Sequence, residues 1–535
     1  MLNLVFFPFI IALLITILLI PPLMKAASRA GLLDIPNPRK VHRSAIPRVG
    51  GIALGTAAIL SILFWLPIDR EIAALLIGFG ILLVFGAWDD KANIDYRIKL
   101  TSQFVAALVV VWYGHIYIHR IPFFEGIEIP FWLSSPFTIF FIVGITNAIN
   151  LADGLDGLSG GKTLLIFVCM AILAYHDFDP QLILLNVIFV GAILGFLRFN
   201  TYPAQVFMGD AGSQTLGFSS AVLALILTQH PDAAFSPALP MLLFAVPICD
   251  TTSVIVQRIA NGRSPFSPDK NHLHHKLLAY GFSQFGAITI IYVVQTILVT
   301  IAYFARYERD ELIVGIFVAF AASVSVLLML GKKPHASMQS TPHTQQSNRR
   351  IWYSTIGAYS SYVLLPTLLI AGIIAVPGVP EDLSVAAGLV LLVLLLCSVS
   401  RFKLSGLVFR LSAYLACVFS IHLLNRYSGG NGYIEPLFSI GFALLAITTT
   451  IGIRFSSRHA FLVTPLDILV IFLCLVVPTI SIAIGRELPI AIFSVRLVVL
   501  MYACEFVFAS KQARIWEAVL GPLGMVAVSL SDFFA

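Results

Sequence analysis

Four stretches of the sequence combine acidic, amide, histidine and glycine residues in patterns suited to binding phosphate groups and a divalent cation. The first is FGAWDDK, in which Asp89 and Asp90 end an apolar run of helical length. The C-terminal end of a helix carries partial negative charge and disfavours a carboxylate by about 0.3–1 kcal/mol, so these residues do not cap their own helix. They indicate a functional site, with a solvated loop start paired to Lys91 as the alternative.

The second stretch is NAINLADGLDGLSGG at positions 147–161, which places an amide or a carboxylate at every third position. The polar residues are Asn147, Asn150, Asp153 and Asp156. On a helix they would share one face, and with a helix broken by the glycines they would form an oxygen-rich loop. Either arrangement suits Mg²⁺, which takes one or two protein carboxylates together with phosphate oxygens and water. A glycine-rich polar turn without metal is the alternative.

The third stretch is FMGDAGS at positions 207–213, whose small residues would let a ligand approach the backbone closely. Asp210 is a candidate second metal ligand. Because Asp and Gly are also common in ordinary turns, a purely structural turn is the competing interpretation.

The fourth stretch is RSPFSPDKNHLHHK at positions 263–276, where His272, His274 and His275 are surrounded by lysine and arginine. Zinc is one interpretation, but no cysteine or glutamate accompanies the histidines. Another interpretation is a solvated basic loop whose positive charge reflects only its position on the cytoplasmic side. Many N–H donors and positive charges are what a pyrophosphate group needs, so the composition favours a polyanion site.

The composition of the whole chain is typical of an integral membrane protein. The 535 residues include 59% hydrophobic and 11% charged residues, with a mean hydropathy of +0.94. A soluble domain carries about 25% charged residues, so a soluble protein is excluded. The net charge of +6 comes from basic residues in recurring loops, which membrane topology explains without nucleic acid.

The apolar runs predict an all-α polytopic membrane protein. About 11 transmembrane helices are expected in residues 1–330, near 4–23, 50–66, 71–88, 100–118, 134–150, 162–176, 181–199, 214–228, 238–258, 283–305 and 311–330. Residues 331–351 are polar, rich in Ser, Thr, Gln and Pro, and predict a cytoplasmic linker. About six or seven more helices are expected in a second membrane region at 352–535.

This predicted topology places all four stretches at the cytoplasmic ends of helices, and it places Lys99 at the start of the helix after Asp90. The preference of cytoplasmic loops for positive charge would by itself also explain a lysine at position 99. Polar residues gathered on one face favour a surface active site. The alternative function is a transporter or flippase for an anionic lipid-linked or phosphorylated sugar, which would place charges near the bilayer midplane at broken helices.

Residues 1–330 closely resemble the polyprenyl-phosphate N-acetylhexosamine-1-phosphate transferase family. The resemblance lies in five motifs: PNPRKVHRSAIPRVGG at 36–51, DDK at 89–91, NAINLADGLDGL at 147–158, VFMGDAGS at 206–213 and NHLHH at 271–275. The HLHH form is similar to the branch that transfers GlcNAc-1-phosphate, or a related sugar phosphate, to undecaprenyl phosphate. Residues 352–535 have no counterpart in the short members of the family, and their role is not assigned.

The resemblance implies a role for each matching position. Asp89, Asp90, Asp156 and Asp210 would be catalytic, with Mg²⁺, or Mn²⁺ in its place, bound by Asp156 and Asp210. Lys99 would bind the lipid phosphate. The other substrate-binding positions would be Asn150, Asp153, His272, His274, His275, Lys40 and His42.

The implied reaction joins a UDP-N-acetylhexosamine to undecaprenyl phosphate with release of UMP, and it would initiate a lipid-linked cell-surface glycan. The site would face the cytoplasm at the bacterial inner membrane, with a second copy of the chain and later glycan-assembly enzymes as candidate partners. A phosphate monoester is already mostly a dianion at neutral pH, so little proton needs removing. We therefore expect Asp89 and Asp90 to orient Lys99, the metal or the acceptor rather than to act as a general base or nucleophile.

Overall fold

The computed structural model describes most of the first 330 residues and part of the remainder. The described residues are 2–35, 45–124, 129–177, 179–230, 234–264 and 271–330, followed by 360–371, 405–427, 434–455 and short stretches between 384 and 528. The chain forms two compact units, one containing residues 1–339 and the other most of residues 340–535.

The first unit consists of helices joined by short connections. Its helices are α1 Leu2–Ala30, α2 Gly50–Trp65, α3 Arg70–Ala92, α4 Tyr96–Leu108, α5 Phe131–Leu151, α6 Leu158–His176, α7 Pro180–Asn200, α8 Gly209–Gln229, α9 Leu239–Leu243, α10 Ala245–Ala260, α11 Leu273–Ala279, α12 Gln284–Phe304 and α13 Asp310–Leu330. A π-helical turn at Val109–Tyr113 extends α4. Two short antiparallel strands, β1 Leu33–Asp34 and β2 Ile46–Pro47, are a small addition to the predicted all-α architecture.

Seven helices among the described residues are long and apolar enough to cross a membrane, namely α1, α3, α5, α6, α7, α8 and α12. Large aromatic side chains also remain uncovered by protein, with Phe64, Trp132 and Phe140 at 74%, 74% and 76% exposure. Lipid would cover such side chains, whereas water would not. The prediction of an all-α integral membrane protein is confirmed, and the number of crossings stays a prediction.

The predicted span at 238–258 is two helices rather than one. Helix α9 ends at Leu243 and α10 begins at Ala245. Pro247 has no N–H to donate to the carbonyl of Leu243 four residues earlier, and its ring crowds that turn. The side-chain amide of Gln295 on α12 donates to the Leu243 carbonyl instead, at 3.0 Å. The polar backbone group freed by the break is therefore satisfied inside the bundle.

Helix α8 is the central element of the first unit, because it contacts α2, α3, α5, α6, α7 and α9. Small residues at its beginning allow this close packing. A side chain at Gly51 of α2 would overlap the backbone of Gly212, and one at Gly86 of α3 would overlap that of Ala211. Small residues at helix contacts let backbones approach in a membrane, so α8 can be enclosed on all sides.

The second unit contains the helices Ser405–Tyr427 and Ile434–Phe455 and a shorter apolar helix at Ser360–Ala371. Buried residues such as Leu365, Cys417, Phe442 and Cys504 form an apolar cluster. Much of the six or seven helices predicted for 352–535, and all of the linker predicted at 331–351, lies outside the described residues.

The close approach of α2 and α8 predicts the effect of adding one methyl group. In Gly51→Ala the new Cβ would lie 2.2 Å from the backbone nitrogen of Gly212, so the helices must separate. Overpacking of this kind costs about 1–3 kcal/mol. Gly80→Ala is the matched control, because no atom lies within 4 Å of its Cβ position. The midpoint temperature of thermal unfolding in detergent should be lowered in Gly51→Ala but not in Gly80→Ala. Equal midpoints in the two variants would contradict the close packing of α2 and α8.

Candidate active site

Four helices bring polar side chains together at one end of the bundle. Asp89 lies near the end of α3, Lys99 in the first turns of α4, Asn150 near the end of α5 and Asp210 at the start of α8. The Lys99 Nζ atom is 2.6 Å from Asp210 Oδ1 and 3.1 Å from Asp89 Oδ2. The Asn150 amide donates to the same Asp210 oxygen and to Ser213 Oγ. Residues distant in sequence therefore surround one lysine.

The two neighbouring acids, Asp89 and Asp90, have different partners. Asp89 accepts a hydrogen bond from the backbone N–H of Ile94 and pairs with Lys99. Asp90 accepts from the backbone N–H groups of Asp210 and Ala211, at 2.9 and 3.1 Å. Asp90 does not cap its own helix, but its carboxylate caps the N-terminus of α8, where negative charge is favourable.

Gly209 makes the close approach of Asp90 to α8 possible. Its φ of +70° lies in the region that favours glycine. A Cβ atom at this position would lie 2.4 Å from Asp90 Oδ2. The small residues of the FMGDAGS stretch thus admit a carboxylate of the same chain to the backbone.

An amide cluster formed by Gln103, Asn147 and Gln214 lies one helical turn beyond Lys99, Asn150 and Asp210. Gln103 donates to Gln214 Oε1 at 2.9 Å, and the Asn147 amide donates to Gln103 Oε1. Residues three or four apart share a helix face, so the cluster supports the charged groups from the same helices. The sequence analysis did not assign Gln214.

The acidic loop, residues 152–157, joins α5 to α6 and carries Asp153 and Asp156. Asp156 Oδ2 accepts from the backbone N–H of Ala204 at 3.0 Å. The N–H of Gly157 donates to Asn200 Oδ1, and the hydroxyl of Tyr292 donates to the Gly157 carbonyl at 2.7 Å. Asn200 and Tyr292 were missed in the sequence, where neither belongs to a polar motif.

Asp153 occupies an electrostatically strained position in the acidic loop. Removal of water by the surrounding protein raises the pKa of its carboxyl to about 7. The Lys162 ammonium opposes this shift, and the carboxylates of Asp210 and Asp156 reinforce it. The acidic loop and the start of α8 therefore lie within electrostatic range of each other, which is the relation that a shared cation would require.

The histidine segment, residues 271–276, is held by an acid that the sequence analysis did not single out. Asp250 on α10 is 5% exposed, and its Oδ2 lies 3.1 Å from Nδ1 of His272. Its Oδ1 accepts from the backbone N–H of Leu273 at 2.6 Å. A lone acid in an apolar segment, VPICDTTSV, is the signal that could have indicated it.

His274 is directed into the protein. It is 2% exposed, and its Nε2 has no hydrogen-bond partner among the described residues. A Cβ atom on Gly154 would lie 2.1 Å from that nitrogen, so the ring packs against the acidic loop. Burial, with the nearby charge of His275, lowers the pKa of His274 to about 3. His275 is partly exposed, with its ring centroid 4.2 Å from that of His274.

Lys40 and His42 lie outside the described residues, but the chain that follows them reaches the site. The N–H of Phe207 donates to the Pro47 carbonyl at 2.8 Å, and the N–H of Gly50 donates to the Phe207 carbonyl at 3.0 Å. The end of the 36–51 motif is therefore joined to the segment that leads into α8.

No group of three or more His, Cys, Asp or Glu side chains among the described residues forms a metal site by itself. Mg²⁺ ordinarily uses only one or two protein carboxylates, so this finding does not bear against it. The pair Asp156 and Asp210 stays a prediction.

The site defines a class of protein: an enzyme embedded in a membrane, with carboxylates, amides, a lysine and histidines at one end of its helices. Residues 72–228 match the family model for glycosyl transferase family 4. The matched range includes Asp89, Lys99, Asn150 and Asp210.

Two curated relatives define the family more narrowly. The "Probable undecaprenyl-phosphate N-acetylglucosaminyl 1-phosphate transferase" of Bacillus subtilis (strain 168) is 35% identical over 289 residues, which are 54% of this chain and 80% of that protein. The "Undecaprenyl-phosphate alpha-N-acetylglucosaminyl 1-phosphate transferase" of Escherichia coli (strain K12) is 31% identical over 298 residues, or 53% and 79%. The chain belongs to this family of membrane phosphoglycosyl transferases, as the motifs predicted.

The contact between His274 and the acidic loop predicts a strong effect of Gly154→Ala. The added methyl group would displace the histidine segment from the loop. A displacement of about 1 Å can reduce turnover about 100-fold. The measurement is transferase activity in membranes, with Gly144→Ala on α5 as control, because nothing lies within 4 Å of its Cβ position. Wild-type activity of Gly154→Ala would contradict the contact.

The burial of neutral His274 predicts a pH dependence of stability. Its pKa in the folded chain is about 3, below the value of about 6.5 for an exposed histidine. The unfolded chain binds the proton first, so the stabilisation is present above pH 6.5 and is lost as the pH falls toward 3. His274→Asn should flatten this acid-side loss in thermal unfolding more than His275→Asn does. Equal flattening in both variants would show that His274 is not the group responsible.

Proposed function

We propose that this chain transfers an N-acetylhexosamine-1-phosphate from a UDP-sugar to undecaprenyl phosphate and releases UMP. The observation that carries the proposal is the position of Lys99, held between Asp89 and Asp210 at an end of the helix bundle. The curated relatives, whose names specify undecaprenyl phosphate and N-acetylglucosamine 1-phosphate, support GlcNAc as the sugar.

In the proposed reaction, a phosphate oxygen of the lipid attacks the β-phosphorus of the UDP-sugar. The bond between this phosphorus and the bridging oxygen breaks, and UMP leaves with that oxygen. Lys99 would bind the lipid phosphate, whose charge is already close to −2 at neutral pH. Asp89 would orient Lys99, and Asn150 would orient Asp210, through the contacts described above. Phosphoryl transfer depends mainly on such positioning and on charge neutralisation.

The residues present fit a Mg²⁺ ion, because the donors gathered here are carboxylate oxygens with few compensating cations. Asp210 and Asp156 would hold the ion, and Asp153 lies within electrostatic range of both. When bound, Mg²⁺ would neutralise charge on the pyrophosphate oxygens of the donor. Mn²⁺ has the same preference for oxygen and would serve as a substitute.

The donor nucleotide would lie beside the acidic loop and the histidine segment, which contact each other through Gly154 and His274. Of the three histidines, His275 retains the most access, while His272 and His274 are packed inside. We propose that the site faces the cytoplasm at the bacterial inner membrane, where UDP-sugars are available, and that the core crosses the membrane about 11 times. The product would initiate a lipid-linked cell-surface glycan.

The proposal is tested by assaying membranes that contain the full chain with undecaprenyl phosphate, Mg²⁺ and a panel of UDP-sugars. UDP-GlcNAc should release UMP and yield a lipid-linked sugar pyrophosphate, and removal of divalent ions should stop the release. Failure of every donor to release UMP would overturn the proposed function. Release of UMP that persists without the lipid would show a different acceptor.

The position of Lys99 predicts the effect of neutralising it. Lys99→Gln should reduce UMP release about 100- to 1,000-fold, the usual cost of removing a group that stabilises charge in a transition state. Arg97→Gln is the matched control, since Arg97 is an exposed cation two residues earlier whose guanidinium contacts the neighbouring Tyr96 ring. A comparable loss in both variants would show that surface charge, rather than this lysine, governs activity.

A further inference from the structure

Asp250 is a buried acid that lies outside every motif considered so far. It occupies α10 within the sequence AVPICDTTSVIVQRIA and is 5% exposed. A buried carboxylate needs hydrogen-bond partners or an opposite charge, because loss of water otherwise makes it costly. Its partners therefore indicate what it does.

Both oxygens of Asp250 contact the histidine segment. Oδ1 accepts the backbone N–H of Leu273 at 2.6 Å, and Oδ2 lies 3.1 Å from His272 Nδ1. Rings of His272 and His274 are nearly parallel, at 7° with centroids 5.9 Å apart. One carboxylate thus fixes the beginning of α11 and the plane of the first ring, against which the second ring stacks.

The contact with Asp250 also determines which nitrogen of His272 carries hydrogen. An ionised carboxylate can only accept, so Nδ1 must be the protonated nitrogen and Nε2 is left for another partner. A carboxylate at Nδ1 also compensates the positive ring that forms when Nε2 takes a second proton, as in catalytic Asp–His pairs. In that form Nε2–H is a charged donor suited to a phosphate oxygen.

Lys162 connects this pair to the acidic loop. It is 3% exposed on α6, and its charge acts on both Asp250 and Asp153. Asp250 therefore contacts His272 and lies within electrostatic range of Lys162. The histidine segment and the acidic loop are thus linked by buried charges as well as by the packing of His274 on Gly154.

We propose that Asp250 is a positioning residue that holds one proton on Nδ1 of His272 and compensates the ring when Nε2 is also protonated, so that Nε2–H can donate to the pyrophosphate of the UDP-sugar. The proposal rests on the proposed function for the identity of the donor. The contact between Asp250 and His272 stands independently of it.

The test compares Asp250→Asn with Asp250→Ala and uses the full chain in membranes. An asparagine oxygen can still accept from Leu273, but the amide nitrogen would face His272 and donate to Nδ1, which moves the ring proton to Nε2 and removes the compensating charge. We expect Asp250→Asn to lower kcat/KM for the UDP-sugar about 10- to 100-fold, the usual cost of losing a carboxylate behind a functional histidine. The KM for undecaprenyl phosphate should not change.

A double-mutant cycle separates action through His272 from a purely structural effect. In a His272→Gln background, Asp250→Asn should cause almost no further loss, because its target is absent. Thr252→Val is the control on the same helix, since Thr252 is exposed and its hydroxyl donates to the carbonyls of Ile248 and Cys249 within that helix. Additive losses in the double mutant would overturn the proposal. It would also be overturned if Asp250→Asn were as active as wild type while Asp250→Ala was impaired. In either case the role of Asp250 would be limited to its hydrogen bond with the backbone of Leu273.

A spectroscopic measurement keeps this result distinct from failure of the proposed function. In ¹⁵N-histidine-labelled protein, the resonance that disappears in His272→Gln should report a proton on Nδ1 in the wild type and on Nε2 in Asp250→Asn. This measurement does not require catalytic turnover. It therefore still tests whether Asp250 controls the protonation of His272 if no UDP-sugar is a substrate. A wild-type proton on Nε2 alone would contradict the proposal directly.

Discussion

The capping of α8 by the Asp90 carboxylate is the interaction on which the rest of the site depends. The N-terminus of a helix leaves backbone N–H groups without partners, and α8 is almost entirely enclosed by protein. Asp90 accepts two of these groups, and glycine at position 209 allows it to approach. The same contact fixes Asp210, and through Asp210 it fixes Lys99 and Asn150. Asp90 thus holds the site together through the backbone of α8.

Local sequence patterns were sufficient for the parts of this protein whose signal lies within one segment. The apolar runs predicted the helical membrane architecture, and the polar residues at the ends of those runs predicted side chains that meet in space, including Asp89, Asn150 and Asp210. The broken span at 239–260 was missed, although Pro247 is visible in the sequence. The chain tolerates the break because Gln295 of a distant helix donates to the freed Leu243 carbonyl. The sequence around Pro247 does not indicate that partner.

The residues that brace the loops were not predicted, for a related physical reason. Asn200, Tyr292 and Asp250 lack the repeated pattern of polar residues that marks a motif. Their meaning comes from partners far along the chain: Tyr292 bonds a carbonyl 135 residues away, and Asp250 bonds a histidine 22 residues away. A polar group inside an apolar bundle is costly without such a partner, so each isolated one indicates a distant contact whose identity needs coordinates.

The amide cluster explains how such a charged site can exist at the end of a membrane bundle without forming a path through it. Gln103, Asn147 and Gln214 satisfy one another, and they carry no net charge. A transport path would place ionisable groups or water at this level, since ions and anionic sugars need compensating charge as they move inward. Neutral amides that bond to each other provide no such charge. The charged groups at the ends of α3, α4, α5 and α8 therefore border a layer of neutral amides.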